Sequence, residues 1–125
     1  MRNTKESFIV NRIKSLGYAF KGLLILLKTE ASIKIQLVIA VVITIMGFYF
    51  KISATEWMFQ CTMIGLVMGM EGMNTAIEYL SDFVHPDHHQ KIGRIKDVAA
   101  GAVLLTGLIA VIVAGMIYVP KLNLI

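Results

Sequence analysis

The stretch Val98-Ala-Ala-Gly-Ala-Val-Leu-Leu-Thr-Gly-Leu-Ile-Ala-Val-Ile-Val-Ala-Gly-Met-Ile-Tyr-Val119 decides the fold class, because it runs for 22 residues without a charge. An α-helix needs about 20 apolar residues to cross a bilayer, so this segment crosses unaided. Pro120 and Lys121 close it. Upstream, Ile35 to Phe50 is a second uncharged run, 16 residues long and bracketed by Lys34 and Lys51. It is short for a span unless its flanking lysines snorkel, and it predicts a transmembrane helix over 33–50. Between the two runs, Ser53-Ala-Thr-Glu56 has the spacing of a capping box and Trp57 suits a membrane interface. A helix over 54–83 follows, ended by Pro86 at or before His85. Asp87 with Gln90 can cap a short restart, and Lys91, Arg94, Lys96 and Asp97 make a polar entry to the third transmembrane helix, over 96–119.

Composition agrees with a membrane protein. The 125 residues are 57% hydrophobic with a mean hydropathy of +0.73, above the roughly 45–50% apolar content of soluble domains. One domain covering 1–125 is expected, an all-α membrane protein. The net charge of +4 does not point to nucleic acid, because the 12 Lys and Arg residues flank apolar runs rather than forming aromatic-interleaved patches. Cys61 is the single cysteine, which leaves no disulfide framework and no zinc ligand set. The first residues carry charges throughout rather than a compact apolar stretch, so no cleavable leader is expected. From about 7 to 29, Ile13, Leu16, Phe20, Leu23 or Leu24, and Leu27 recur at three- and four-residue intervals among Arg12, Lys14, Lys21 and Lys28. That is a basic amphipathic helix, suited to lie on a membrane surface just before a span.

Ten of the 12 basic residues lie before the first span or between His85 and Asp97; Lys51 and Lys121 are the exceptions. The bias toward cytosolic basic loops predicts a multi-pass protein of the inner, cytoplasmic membrane, with its N-terminus in the cytosol and its C-terminus outside.

Chemistry concentrates in the middle helix. In Glu71-Gly-Met-Asn74-Thr-Ala-Ile-Glu78, with Asp82 one turn further on, acids and an amide fall on one helical face. A carboxylate at membrane depth costs about 2.5 to 3.5 kcal/mol on insertion scales, so the default reading is a functional site. Glu71 and Glu78 stand about 10.5 Å apart along the axis, which suits a proton acceptor at one end and a divalent cation at the other. Phosphoryl transfer at a membrane surface fits. Glu30, where the surface helix meets the first span, is predicted at the same level as Glu78, and Mg²⁺ favours a few carboxylates plus phosphate oxygens and water. His85, His88 and His89 read either as a solvated loop or as nucleotide contacts; Lys96 and Asp97 read either as anchor and cap or as phosphate ligand and its partner. Gly65 and Gly69, with Ala99 to Ala102, suit close helix packing. The eight methionines suit adaptable filling. No Walker A string, Gly-x-Gly-x-x-Gly loop or His-Arg-Asp and Asp-Phe-Gly pair is present, so neither common soluble kinase class applies. The competing class is a small proton-coupled transporter built on an intramembrane Glu, which leaves Asn74, Glu78, Glu30 and Lys96 without roles.

Thr29-Glu30-Ala31, Gly47, Ile52-Ser53, Glu56-Trp57, Glu71-x-x-Asn74-Thr75-Ala76-Ile77-Glu78 and Lys96-Asp97-x-Ala99-Ala100-Gly101-Ala102-Val103 together resemble the prokaryotic diacylglycerol kinase and undecaprenol kinase family. The resemblance runs from about Lys14 to Tyr118. It implies a homotrimer with a surface helix and three transmembrane helices per subunit, its active sites between subunits. It also implies ATP- and Mg²⁺-dependent phosphorylation of a membrane lipid alcohol, undecaprenol or diacylglycerol, at the cytosolic leaflet. By that similarity Glu71 matches the general base and Asn74 the residue orienting the carboxylates. Glu30 and Glu78 match ligands of Mg²⁺ and ATP. Tyr18, Asp87, His88, His89, Lys96 and Asp97 match nucleotide contacts. Arg12 lies about one position out of register with an N-terminal arginine contact, and Gly72 departs from the aliphatic residue usual there.

Overall fold

The computed structural model describes residues 4–123, and among these every regular element is helical. In chain order they are α1 (Phe8–Thr29), α2 (Ala31–Tyr49), α3 (Ala54–Val84) and α4 (Gln90–Tyr118), closed by a 3₁₀ turn, Val119–Leu122. The most extensive pairing is between α3 and α4; α2 lies against α3, and α1 touches α2.

Local signals set the ends of these helices. At α1, Ser7 Oγ accepts from the Val10 amide at 3.3 Å, and Lys14 reaches back to Glu6, an ion pair that lifts the lysine above its ordinary range. A single residue, Glu30, joins α1 to α2, with extended backbone angles of −95° and 112°. Its amide closes α1 on the Leu26 carbonyl, while its side chain caps nothing. The carboxylate is thereby free for other work. At α3 the capping box is complete, Ser53 Oγ accepting from the Glu56 amide at 3.1 Å and Glu56 Oε1 from the Ser53 amide at 2.9 Å. The same Glu56 pairs with Lys121 at 2.9 Å, tying the start of α3 to the end of α4.

The α3–α4 connection departs from expectation. α4 is continuous from Gln90, and its N-cap is His89, whose Nδ1 accepts from the Lys91 amide at 3.1 Å, rather than Asp87. The reason is that charge ends a span but does not end a helix. Lys91 to Asp97 simply extend the helix beyond its apolar part.

The buried residues of α3 are polar, and much of the exterior is apolar. Gln60, Glu71, Asn74, Thr75 and Ser81 of α3 are buried, whereas Val38, Ile45, Leu104, Leu105, Val111 and Met116 are exposed. That inversion suits a hydrocarbon solvent, where apolar side chains face out and polar ones must find partners within. Among the described residues, two helices are long and apolar enough to cross a membrane, Ala31–Tyr49 and Gln90–Leu122. α3 has ample length, 31 residues or about 46 Å. Its inward polar residues lower its apolarity below that of the other two.

At the end of the bundle away from Glu30, Ile52, Ile117 and Tyr118 form a buried cluster with Phe50 and Trp57 packed on it. Trp57 packs its six-membered ring against Gly47 of α2, where a Cβ would come within 2.6 Å of the indole. Tyr118 Oη reaches Gln60 Oε1 at 2.5 Å, and Gln60 Nε2 donates to the Ile43 carbonyl at 3.2 Å. Three helices are pinned there by two side chains.

Candidate active site

Six of the eight Asp and Glu side chains divide into two kinds by what they accept from. Glu6, Glu56 and Asp82 pair with lysines. Glu71, Glu78 and Glu30 instead accept from neutral donors: Gln36 Nε2 reaches Glu71 Oε2 at 3.4 Å, Asn74 Nδ2 reaches Glu78 Oε1 at 3.3 Å, and the Tyr79 hydroxyl reaches Glu30 Oε1 at 2.8 Å. A neutral donor orients a carboxylate and leaves its charge unspent. A cation or a proton can then take it up.

α3 positions four of these groups. Glu71 and Asn74 are buried, Glu78 is half-buried, and Asp82 is exposed one turn beyond it. The single acidic face expected from helical spacing is therefore graded, from a dry carboxylate at Glu71 to a solvated one at Asp82. α2 supplies Gln36 opposite Glu71. The α1–α2 joint supplies Glu30, which the Tyr79 hydrogen bond holds against α3 at the residue following Glu78.

The oxygen chemistry suits a hard cation. No group of three or more His, Cys, Asp or Glu side chains is close enough to hold a metal among the described residues, so a closed protein cage is absent there. Glu78 lies beside Asn74, whose buried Oδ1 has no hydrogen-bond partner, and Glu30 is held to the same helix through Tyr79. A small set of oxygens completed by phosphate and water is what Mg²⁺ takes in kinases, and these residues fit it.

One turn past Glu78, a polar cleft of about 280 Å³ opens at the α3–α4 turn, lined among others by Asp82, Asp87, His88, His89 and Lys96. The structure thus brings four of the expected nucleotide contacts, Asp87, His88, His89 and Lys96, into one cleft. Lys96 is held there by Asp82 at 2.5 Å, His85 Nδ1 lies 2.8 Å from the Asp87 carbonyl, and the His85 and His89 rings meet edge to face at 5.0 Å. Asp97 and Tyr18 are exposed and do not line it. Arg12 stacks on Phe8 at 5.5 Å.

Gln36 and Tyr79 went unread in the sequence. Gln36 lies inside a run read for its lack of charge, where a lone amide was itself the signal. Tyr79 gave no local signal, since its partner is 49 residues away. The reading of Gly72 gains a physical reason: Leu26 Cδ1 of α1 lies 3.1 Å from where its Cβ would be, so α1 packs into space that an aliphatic side chain would fill.

Residues 17–118, nearly the whole helical bundle and every site residue named above except Arg12, match the prokaryotic diacylglycerol kinase family. The chain belongs to that family. It is similar to the undecaprenol kinase of Bacillus subtilis (strain 168), 35% identical over 109 residues, covering 87% of this chain and 89% of that one. It is also similar to the diacylglycerol kinase of Escherichia coli (strain K12), 31% identical over 100 residues, 80% of this chain and 82% of that one. A third relative, the diacylglycerol kinase of Synechocystis sp. (strain ATCC 27184 / PCC 6803 / Kazusa), is 31% identical over 113 residues, 90% of this chain and 65% of that one. This family member is a lipid kinase of the membrane, and kinase chemistry implies ATP as phosphate donor. The transporter reading is not favoured.

Proposed function

We propose that this lipid kinase transfers the γ-phosphoryl group of ATP to the hydroxyl of undecaprenol, in a Mg²⁺-dependent reaction at the cytosolic leaflet of the inner membrane. The observation that carries the reading is the split between lysine-paired carboxylates and the three that accept only from Gln36, Asn74 and Tyr79. Undecaprenol is placed ahead of diacylglycerol because identity to the Bacillus subtilis undecaprenol kinase, 35%, is higher than the 31% to the diacylglycerol kinases of Escherichia coli and Synechocystis. An apolar crevice of about 310 Å³ between α2, α3 and α4 begins at Gln36, beside Glu71, and suits a long hydrocarbon tail.

In this mechanism Glu71 accepts the proton of the lipid hydroxyl as that oxygen forms its bond to the γ-phosphorus and the bond to the ADP oxygen breaks. Gln36 holds the accepting carboxylate, and Asn74 orients Glu78. Bound Mg²⁺, held by Glu30 and Glu78, would neutralise charge on the phosphate oxygens. Lys96 supplies positive charge at the mouth of the cleft, with His88 and His89 available to donate to phosphate or stack on the base. Asp87, Asp97 and Tyr18 complete the nucleotide contacts, the last two brought in from the exposed surface.

The reading includes three spans, α2, α3 and α4, with α1 on the cytosolic surface, as the basic residues favour. It includes a homotrimer, whose neighbouring subunits would cover part of the apolar exterior. The deciding experiment offers purified protein Mg-ATP and a panel of undecaprenol, diacylglycerol and simple long-chain alcohols, and measures each phosphorylated product. Undecaprenyl phosphate should dominate. Preferential phosphorylation of diacylglycerol would overturn the choice of acceptor, and no product from any lipid alcohol would overturn the whole reading.

A further inference from the structure

Glu30 has an unusual position for a metal ligand. It is the sole residue between two helices, its side chain caps neither, and nothing in its own backbone fixes where the carboxylate points. A glutamate has three side-chain torsions, and a ligand free to sample them binds a cation less well than one already aimed. The group that aims it comes from α3: the Tyr79 hydroxyl, 2.8 Å from Glu30 Oε1.

An exposed tyrosine near a helix end is ordinarily an interface aromatic with its hydroxyl in the headgroups. Tyr79 is 52% exposed, yet its hydroxyl is spent on a carboxylate 49 residues away. Its place in the chain gives that bond a purpose. Tyr79 directly follows Glu78, so the backbone that carries one proposed metal ligand also grips the other. Asn74 steadies Glu78 at 3.3 Å, and Tyr79 does the same for Glu30. An ionised carboxylate has about four lone-pair sites, so one hydrogen bond fixes its direction and leaves room for a cation. A lysine in the same place would compete with that cation for the same charge.

We propose that Tyr79 is a positioning residue of the metal site: its hydroxyl holds the Glu30 carboxylate beside Glu78 so that the two meet a divalent cation as a preformed pair. The proposal rests on the reading of Glu30 and Glu78 as cation ligands. Tyr79 touches neither lipid nor nucleotide in this role.

The test is Tyr79→Phe, which keeps the ring and removes only the hydroxyl. Mn²⁺ serves as a paramagnetic substitute for Mg²⁺, and free Mn²⁺ is counted by electron paramagnetic resonance while purified protein is titrated in the presence of a non-hydrolysable ATP analogue. Tyr79→Phe should weaken Mn²⁺ binding about three- to tenfold, the equivalent of one ordinary net hydrogen bond. In turnover assays the variant should need correspondingly more Mg²⁺ while its kcat at saturating Mg²⁺ stays within about twofold. Glu30→Gln should weaken binding at least as much, and adding Tyr79→Phe to Glu30→Gln should weaken it no further, because the hydroxyl acts only through that carboxylate. Unchanged Mn²⁺ affinity in Tyr79→Phe, with Glu30→Gln impaired, overturns the role of Tyr79 and leaves the metal reading standing. Unchanged affinity in Glu30→Gln overturns both. Additive losses in the double variant also overturn the proposal, since Tyr79 would then act by another route.

Discussion

Tyr118→Phe removes one oxygen atom from the end of the bundle remote from the site, and its cost follows from counting protons. The Tyr118 hydroxyl has one proton and two acceptors in reach, Gln60 Oε1 at 2.5 Å and the Ile43 carbonyl at 3.1 Å. The shorter contact takes it, while Gln60 Nε2 independently serves the Ile43 carbonyl at 3.2 Å. Without the hydroxyl, Gln60 Oε1 loses its donor in a residue only 4% exposed. In a water-soluble core such an orphan costs about 1–3 kcal/mol. Between membrane helices measured polar contacts average about 0.6 kcal/mol and reach about 1.7, because separated helices find partners too. Gln60 is buried by protein on both sides, so the expectation is the upper part of the membrane range, about 1–1.7 kcal/mol. Equilibrium unfolding by a denaturing detergent, from lipid-detergent micelles, reads this directly. Adding Gln60→Leu to Tyr118→Phe removes the orphan along with its partner and should recover part of the loss. Turnover well below the unfolding midpoint should stay within about twofold, since Gln60 lies about 16 Å along α3 from Glu71. A double variant less stable than Tyr118→Phe alone would refute the argument.

Other expectations address the chemistry and its side of the membrane. Glu71→Gln keeps size and hydrogen bonding but not basicity, so kcat should fall by about 10² to 10⁴ while binding of an ATP analogue is retained; near-normal turnover would remove Glu71 from the mechanism. Glu78→Gln should raise the Mg²⁺ concentration needed for half-maximal rate, and a requirement equal to wild type would count against Glu78 as a ligand. Gly47→Ala drives a methyl group into the Trp57 indole, whose ring already rests on Phe48 at a centroid distance of 4.9 Å; overpacking should cost about 1–3 kcal/mol on the same unfolding assay, and an unchanged midpoint would show that the indole moves aside freely. In a Cys61→Ser background, Asn123→Cys should label in intact cells with a membrane-impermeant thiol reagent and His88→Cys should not, with labelling at 88 reversing the proposed orientation.

What could be read from the chain alone, and what could not, divides by the distance over which each signal acts. The uncharged runs 35–50 and 98–119 and the capping box of Ser53 and Glu56 are local, complete within one helix or three residues, and the string around Glu71 to Glu78 with Lys96 to Val103 was specific enough to name the family. The cap of α4 is His89 rather than Asp87, and the basic residues that follow mark where that helix leaves the bilayer, not where its hydrogen bonding begins. Gln36 and Tyr79 belong to a third kind. Each completes a carboxylate from a distant part of the chain, Glu71 of α3 or Glu30 of the α1–α2 joint, and a sequence without a known helix arrangement says nothing of which faces meet. The residues visible in advance are those that carry charge, because charge in an apolar segment is conspicuous wherever it points. Asn74 was legible too, because it shares a helical face with Glu71 and Glu78, whereas Gln36 and Tyr79 look like ordinary membrane-helix side chains until the helices are brought together. It is such neutral donors that separate Glu71, Glu78 and Glu30 from the lysine-paired Glu6, Glu56 and Asp82.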